Sequence, residues 1–303
     1  MSSNKVYVVT GGNSGIGLGT ALKLAETKTN TVIIAARSPD KNASAVTKIK
    51  NETGNQNIHS FQLNLTSLSA VKTFSETLLT QFPRIDGLVC NAGLLTKQYS
   101  LSPEGYESTI ATNHLGHFLL IQLLLPSLQS VGTPESPSRL AIVSSFTINP
   151  KNMSSMPYPN LVSDFTDALK AESNTAFNGE QAYTNSKLLN AVTGKYLASI
   201  VGKNVVVSVY DPGYVVTDIV RETKGVAGFM VKSVLPSVLK PFWKKVSTVE
   251  RSGGFLASLA TGHGENGKYY SVDGEEAWAE KVLDVEFGKK VYTQSLELVK
   301  PFV

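Results

Sequence analysis

Cysteine is almost missing from this chain: Cys90 is the only one in 303 residues. No intrachain disulfide can form, so packing and hydrogen bonds must hold the fold, which suits a reducing compartment. Long hydrophobic runs are also lacking. The greasiest inland stretch, Phe118 to Leu125, is broken by Gln122 and falls well short of the roughly 18 residues that span a bilayer. Near the start, Val6 to Val9 gives way at once to Thr10-Gly11, whereas a secretion signal needs roughly 7 to 15 apolar residues. The expected location is therefore cytoplasmic, with membrane contact at most peripheral. Charge of one sign is scarce too. Lys and Arg number 28 against 24 Asp and Glu, a formal net charge of +4 spread without any run of about five like charges. That balance argues against a nucleic-acid partner.

What is present is enough apolar material for a large core: 42% hydrophobic and 17% charged residues, with 12 Phe, 11 Tyr and 2 Trp. This excludes global disorder. The length admits two domains at about 150 residues each, but α/β folds often carry it as one. Short apolar runs alternate with segments of helical period. Strands are expected at Val6 to Val9, Thr31 to Ala35, Ile58 to Leu63, Gly87 to Cys90, Leu140 to Val143, Val205 to Val209 and Lys268 to Val272. Helices are expected near 15–27, 40–52, 68–81, 106–129, 181–200 and 248–261. The alternation reads as one α/β domain over residues 1–303, a doubly wound, mostly parallel sheet of seven strands with helices on both faces. Ser67 is the expected cap of the third helix, and Ser247 with Glu250 forms a capping-box pattern before Arg251. Proline and small polar residues mark surface loops at Thr133 to Ser138 and Asn149 to Asn160.

Directly after the first strand comes Thr10-Gly11-Gly12-Asn13-Ser14-Gly15-Ile16-Gly17, and then a helix with Leu18, Ala21, Leu22 and Ala25 on one face. Glycines let a pyrophosphate approach without a Cβ in the way, and the amides and dipole of a helix N-terminus attract its charge. Tight turns also select glycine, and the spacing differs from Gly-x-Gly-x-x-Gly. Twenty residues past Gly17 stands Arg37, at the end of the second strand where the adenosine ribose is read. An acidic residue there favours a free 2′-hydroxyl and an Arg favours a 2′-phosphate, so NADP(H) is expected over NAD(H). Lys41 is a second candidate for that phosphate, or simply a solvated helix side chain.

Four motifs in order resemble the short-chain dehydrogenase/reductase family over Val6 to about Tyr270: the glycine loop, Asn91-Ala92-Gly93, Ser145, and Tyr183-x3-Lys187. Asn113-His114-Leu115-Gly116-His117-Phe118 and Ala182-Tyr183-Thr184-Asn185-Ser186-Lys187-Leu188 are most similar to its retinol dehydrogenase and protochlorophyllide reductase-like branch. The resemblance implies a Rossmann-type fold and an NADP(H)-dependent oxidoreductase, with small homo-oligomers as the family habit. It also implies that Gly11, Asn13, Ser14, Gly15, Ile16, Gly17, Arg37, Asn64, Leu65, Asn91, Ala92 and Gly93 bind the cofactor. Pro212, Gly213, Val215 and Thr217 of the turn after the sixth strand would join them. Asn64 departs from the family pattern, which usually has Asp there to touch the adenine; an amide can still donate and accept.

Tyr183 and Lys187 are four apart and so share one helix face. Carbonyl reduction by hydride needs a proton donor, and the reverse oxidation needs a base. A phenol ionises near pH 10, and making it a base at neutral pH requires about 3 to 4 kcal/mol of preference for the phenolate. An ammonium about 4 Å away supplies roughly 1 kcal/mol in water and about 4 kcal/mol at an effective dielectric of 20. Lys187 is therefore expected to pull the Tyr183 pKa down. The resemblance further implies that Tyr183 and Lys187 touch the cofactor, that Asn113 anchors a proton-relay water, and that Ser145 bonds the substrate oxygen. Ser145 is chosen over its neighbour Ser144 by alignment to the family. His114 and His117 have no acidic or cysteine partner at zinc spacing and read as packed or solvated, Cys90 as a small buried hydrophobe, and no metal is expected.

Thirty-eight residues separate Ser145 from Tyr183, longer than compact members of the family have. This loop, near 146–182, carries Phe146, Met153, Met156, Tyr158 and Phe165. A second, near 214–246, carries apolar residues from Val226 to Trp243 among lysines. They are expected to form substrate loops over a pocket for a bulky lipophilic ketone, aldehyde or alcohol, with the apolar lid packing on the protein more readily than on a membrane. Two other readings stay open: reduction of an activated carbon–carbon double bond, and a dinucleotide-sensing protein without turnover.

Overall fold

Both β1 (Val6–Thr10) and β2 (Thr31–Ala36) are buried along their whole length, as strands covered by helices on both sheet faces must be. In a computed structural model, which describes residues 4–149, 157–161, 166, 177–215 and 246–303, they belong to one eight-stranded sheet. Its other strands are β3 (Ile58–Gln62), β4 (Gly87–Cys90), β5 (Ser138–Val143), β6 (Val205–Asp211), β7 (Lys268–Ser271) and β8 (Gly274–Glu276). Their order is β3-β2-β1-β4-β5-β6-β7-β8. All pairings are parallel except β7 with β8. The seven expected strands are all present. The eighth is a three-residue antiparallel edge, too short for any hydrophobic period to register.

Alternation along each strand sends side chains to two separate cores. Val8, Ile33 and Leu88 pack on the side of α3 (Leu68–Gln81), α5 (Gly116–Val131), α6 (Gly179–Ile200) and α8 (Val285–Val299). Val9, Ile34 and Val89 pack on the opposite face, with α1 (Gly15–Ala25), α2 (Pro39–Thr53) and α7 (Val249–Thr261). The short α4 (Ser108–Ile110) leads into α5 through a single π-helical turn, Ala111–Leu115. Ser67 caps α3 as expected, accepting from the Ala70 N–H. The cap of α7 is Thr248, whose hydroxyl accepts from the Arg251 N–H at 3.2 Å. The expected cap, Ser247, lies one residue too early, and its hydroxyl meets that of Ser252 at 2.9 Å instead. The helix α8 lies beyond the helices expected from the sequence pattern. Its buried residues Phe287, Val291, Ser295 and Val299 recur every four residues, but only three are apolar among charged neighbours.

Because the chain order reverses between β1 and β4, the connections that leave their C-terminal ends run to opposite faces of the sheet and open a crevice, the usual ligand position of a doubly wound sheet. Among the described residues no helix is long and apolar enough to cross a membrane. Of the expected substrate loops, Met153, Met156, Phe165 and the lid from Ile219 to Trp243 lie outside the described residues. Phe146 is buried in a 3-10 turn, Phe146–Ile148, and Tyr158 is 48% exposed.

Candidate active site

The crevice is a groove of about 560 Å³. One wall is the glycine loop. Gly11 and Gly15 have φ of +67° and +52°, where a side chain is strained. At Gly17 a Cβ would fall 2.4 Å from the Gly11 carbonyl oxygen and 2.5 Å from the Asn91 amide nitrogen, so only glycine allows the loop to close on β4. Gly11, Asn13, Ser14, Gly15, Ile16, Arg37, Asn64, Leu65, Asn91, Ala92 and Gly93 all line the groove, whereas Gly17 supports it from behind. Thr66, Leu94, Leu95 and Thr112 also line it and were not anticipated. Asn13 donates to Asn42 at 2.8 Å, and Asn64 accepts from the Thr66 N–H at 3.3 Å, so both amides also brace the wall.

Among the described residues the groove lining contains no carboxylate, and two exposed cations, Arg37 and Lys41, stand at its β2 end. Ser14 precedes α1 in an extended conformation without a side-chain cap, leaving the first-turn amides to the groove. Glycine backbone, helix N-terminus and cations together suit a polyanion with two phosphates, so these residues fit a dinucleotide.

At the Gly93 end, a Cβ would sit 3.5 Å from both the Lys187 Nζ and the Asn113 Oδ1, which joins the groove to α6. Tyr183 and Lys187 lie one helical turn apart, with the Lys187 Nζ 5.5 Å from the centroid of the Tyr183 ring. Lys187 is 2% exposed and donates to the Val143 carbonyl at 3.2 Å. Asn190 donates to the same carbonyl at 3.3 Å. Ser145, just past β5, hydrogen-bonds the Tyr183 hydroxyl. Ser144 instead donates to the Lys187 carbonyl at 2.8 Å and so turns into the backbone of α6. The two serines are distinguished by which way the chain leaves β5.

The expectation that Lys187 pulls the phenol down is not met. Burial, reinforced by the Asp211 carboxylate, pushes the Tyr183 pKa up to about 12, and the Ser145 hydrogen bond only partly opposes this. Burial likewise pushes Lys187 down to about 8, against the pull of Asp211. The physical reason is that desolvation outweighs an ammonium directed at a strand carbonyl. At neutral pH the site therefore holds a protonated phenol beside an ammonium.

Asn113 occupies the π-helical turn and is fully buried. Its side chain pairs with both backbone groups of Leu94, accepting from N–H at 2.8 Å and donating to C=O at 2.9 Å, and it donates to Ser186 at 3.0 Å. Its carbonyl faces the His117 ring at 3.0 Å. Gly213, with φ of +71°, donates to Asp211 at 2.9 Å, and the Pro212 carbonyl accepts from Ser252 at 2.8 Å. Neither of these two, nor Val215, lines the groove. Thr217 lies outside the described residues. His114 and His117 are both buried, and among the described residues no cluster could hold a metal. Cys90 is buried too, its thiol pushed far up by desolvation.

Residues 5–159 match the family model for short chain dehydrogenase. Human retinol dehydrogenase 13 is 32% identical over 300 residues, covering 97% of this chain and 84% of that protein. The NADP complex of RhlG from Pseudomonas aeruginosa shares the fold at 22% identity with a TM-score of 0.67, over 95% of this chain and 97% of that one. L-sorbose reductase from Gluconobacter frateurii, complexed with NADPH and L-sorbose, does so at 20% identity and 0.66, over 90% and 96%. The chain belongs to the short-chain dehydrogenase/reductase family, on its retinol dehydrogenase branch, and is an oxidoreductase of CH–OH or C=O groups that uses a nicotinamide dinucleotide.

Proposed function

We propose that this enzyme is an NADP(H)-dependent carbonyl reductase that converts a bulky lipophilic aldehyde or ketone to its alcohol. The observation that carries the reading is the Tyr183 hydroxyl, bonded to Ser145 and kept protonated by burial, beside Lys187 where the groove ends at Gly93. The bound nicotinamide supplies the hydride. Ser145 and Tyr183 hold the carbonyl oxygen, and the Tyr183 O–H delivers its proton there as charge develops. The Lys187 ammonium, 5.5 Å from the ring centroid, then favours the phenolate left behind by about 3 kcal/mol at an effective dielectric of 20. Asn113 holds the Leu94 backbone and so keeps the Gly93 end of the groove against α6.

Arg37 and Lys41, at the β2 end where the ribose of the adenosine would lie, support preference for the 2′-phosphate of NADP(H). A lipophilic substrate is supported by a cleft of about 460 Å³ beyond the Ser145 turn, where Ile148, Leu161, Leu188 and Ala279 form an apolar side facing the charged Glu280, Lys281 and Asp284. It is supported also by the similarity to a relative named retinol dehydrogenase. The test mixes purified protein and NADPH with bulky aldehydes, ketones and enones, following the absorbance of the reduced nicotinamide. Turnover of aldehydes or ketones that vanishes in Tyr183→Phe is expected. NADPH binding without turnover of any carbonyl would sink the reading.

A further inference from the structure

His117 follows Asn113 by four residues on the same helical segment and is 2% exposed. Its Nδ1 lies 3.0 Å from the Asn113 carbonyl oxygen and its Nε2 lies 2.9 Å from the Thr10 hydroxyl. A carbonyl can only accept, so Nδ1 carries the ring proton and Nε2 accepts from Thr10. The Thr10 oxygen in turn accepts the N–H groups of Asn91 and Ala92 at 2.9 and 3.0 Å. The Asn91 side chain returns to the Thr10 carbonyl at 2.9 Å. On the other side, Asn113 donates to Ser186, which donates to the Tyr183 carbonyl at 2.7 Å.

The Thr10 proton has two acceptors, the His117 Nε2 at 2.9 Å and the Val89 carbonyl at 3.3 Å, and the shorter contact is the one to the ring. A protonated imidazole would bring a third N–H to the Thr10 oxygen, which has two lone pairs already engaged. Burial holds the ring neutral, with its pKa pushed down to about 4. Nor does His117 face the groove, so it touches neither cofactor nor substrate.

We propose that His117 is a positioning residue for this reaction. Through Thr10 it fixes the Asn91–Gly93 turn against the glycine loop, and through Asn113, whose backbone carbonyl it holds and whose side chain donates to Ser186, it ties that turn to the helix bearing Tyr183 and Lys187. The inference rests on the dinucleotide reading of the groove.

The test measures binding of NADPH, and of NADH, by fluorescence of the reduced nicotinamide, together with melting temperature. The proteins are the parent, His117→Phe, His117→Gln, Thr10→Val and the double variant Thr10→Val/His117→Phe. His117→Phe is expected to weaken NADPH binding about tenfold. His117→Gln, whose amide oxygen can accept from Thr10, should restore binding to within about threefold of the parent. Because both act along one string, the double variant should bind no more weakly than the worse single variant. A purely structural residue would lower the melting temperature while leaving NADPH affinity unchanged. That result, or strictly additive losses, overturns the proposal. Should His117→Phe fail to fold, Thr10→Val combined with His117→Gln gives the same comparison. A parent that binds neither dinucleotide overturns the reading of the groove and this proposal with it, whereas tight binding by both parent and His117→Phe overturns this proposal alone.

Discussion

The Lys187 ammonium lies 5.5 Å from the centroid of the Tyr183 ring and donates to the Val143 carbonyl, so its charge is fixed near the phenol without being bonded to it. That placement leaves Tyr183 a proton donor at rest and reserves the electrostatic benefit for the moment the proton leaves. Tyr183→Phe removes the donor and little else, since the ring stays packed. Steady-state reduction should fall by about 10²- to 10⁴-fold while NADPH affinity and melting temperature hold. A parent-like rate would show that the proton comes from elsewhere.

The pH dependence follows from the two shifted groups. Reduction needs Tyr183 protonated, which holds below about 12, and Lys187 charged, which holds below about 8. The kcat/KM for NADPH should therefore be level on the acid side of pH 8 and decline with loss of one proton above it. A profile still level at pH 9.5 would exclude the Lys187 charge from catalysis.

The same lysine makes a prediction for stability, and its sign is opposite to that of a lysine gaining an ion-pair partner. The Lys187 pKa is lower in the folded protein than its ordinary 10.5, so between about pH 8 and 10.5 the unfolded chain binds more protons. Stability must then rise with pH in that window. Comparison with Lys187→Met cancels every other titrating group. Thermal melts from pH 7 to 10.5 should show the parent gaining on the variant as pH rises, and a constant difference would refute the shifted pKa.

Arg37 and Lys41 are the cations that line the groove among the described residues. Replacing Arg37 by Asp puts a hydrogen-bond acceptor for the ribose 2′-hydroxyl where a phosphate partner stood. The ratio of kcat/KM for NADPH over NADH should fall by at least about 10²-fold, in line with a charge-assisted hydrogen bond lost and a repulsion added. An unchanged ratio would remove Arg37 from cofactor choice.

Two glycines should behave differently. Gly17→Ala forces a methyl against the Gly11 carbonyl at 2.4 Å, where only backbone movement gives relief, so cofactor binding and melting temperature should both drop. Gly93→Ala meets nothing closer than 3.5 Å, so the fold should survive. Its methyl nevertheless stands beside the Lys187 Nζ, and the kinetic loss should exceed the loss in melting temperature. Equal losses of stability in both variants would contradict the observed packing.

Much of this architecture could be read from residue order. Runs such as Val6 to Val9 and Val205 to Val209 can only be satisfied between two helical layers, and glycine punctuation after β1 marks where a phosphate can approach. Tyr183 and Lys187 had to share a helix face once a helix formed there. Short or mixed elements escaped, notably β8 and α8, because three residues or a face with a buried Ser295 carry too little periodicity. The cap of α7 shifted by one residue because Ser247 and Thr248 carry equivalent hydroxyls, and only backbone geometry selects between them.

The amino-acid order by itself determined the layering, the glycine turn and the pairing of a phenol with an amine, since these depend on local spacing and on which residues can be buried. Tertiary structure alone decided the rest. Whether Ser144 or Ser145 reaches Tyr183 depends on the direction in which the chain leaves β5. Whether burial or charge governs Tyr183 depends on how much water the surrounding strands and helices remove. The link from Thr10 through His117 to Asn113 joins groups more than a hundred residues apart in the chain, and only folding brings such donors and acceptors within reach.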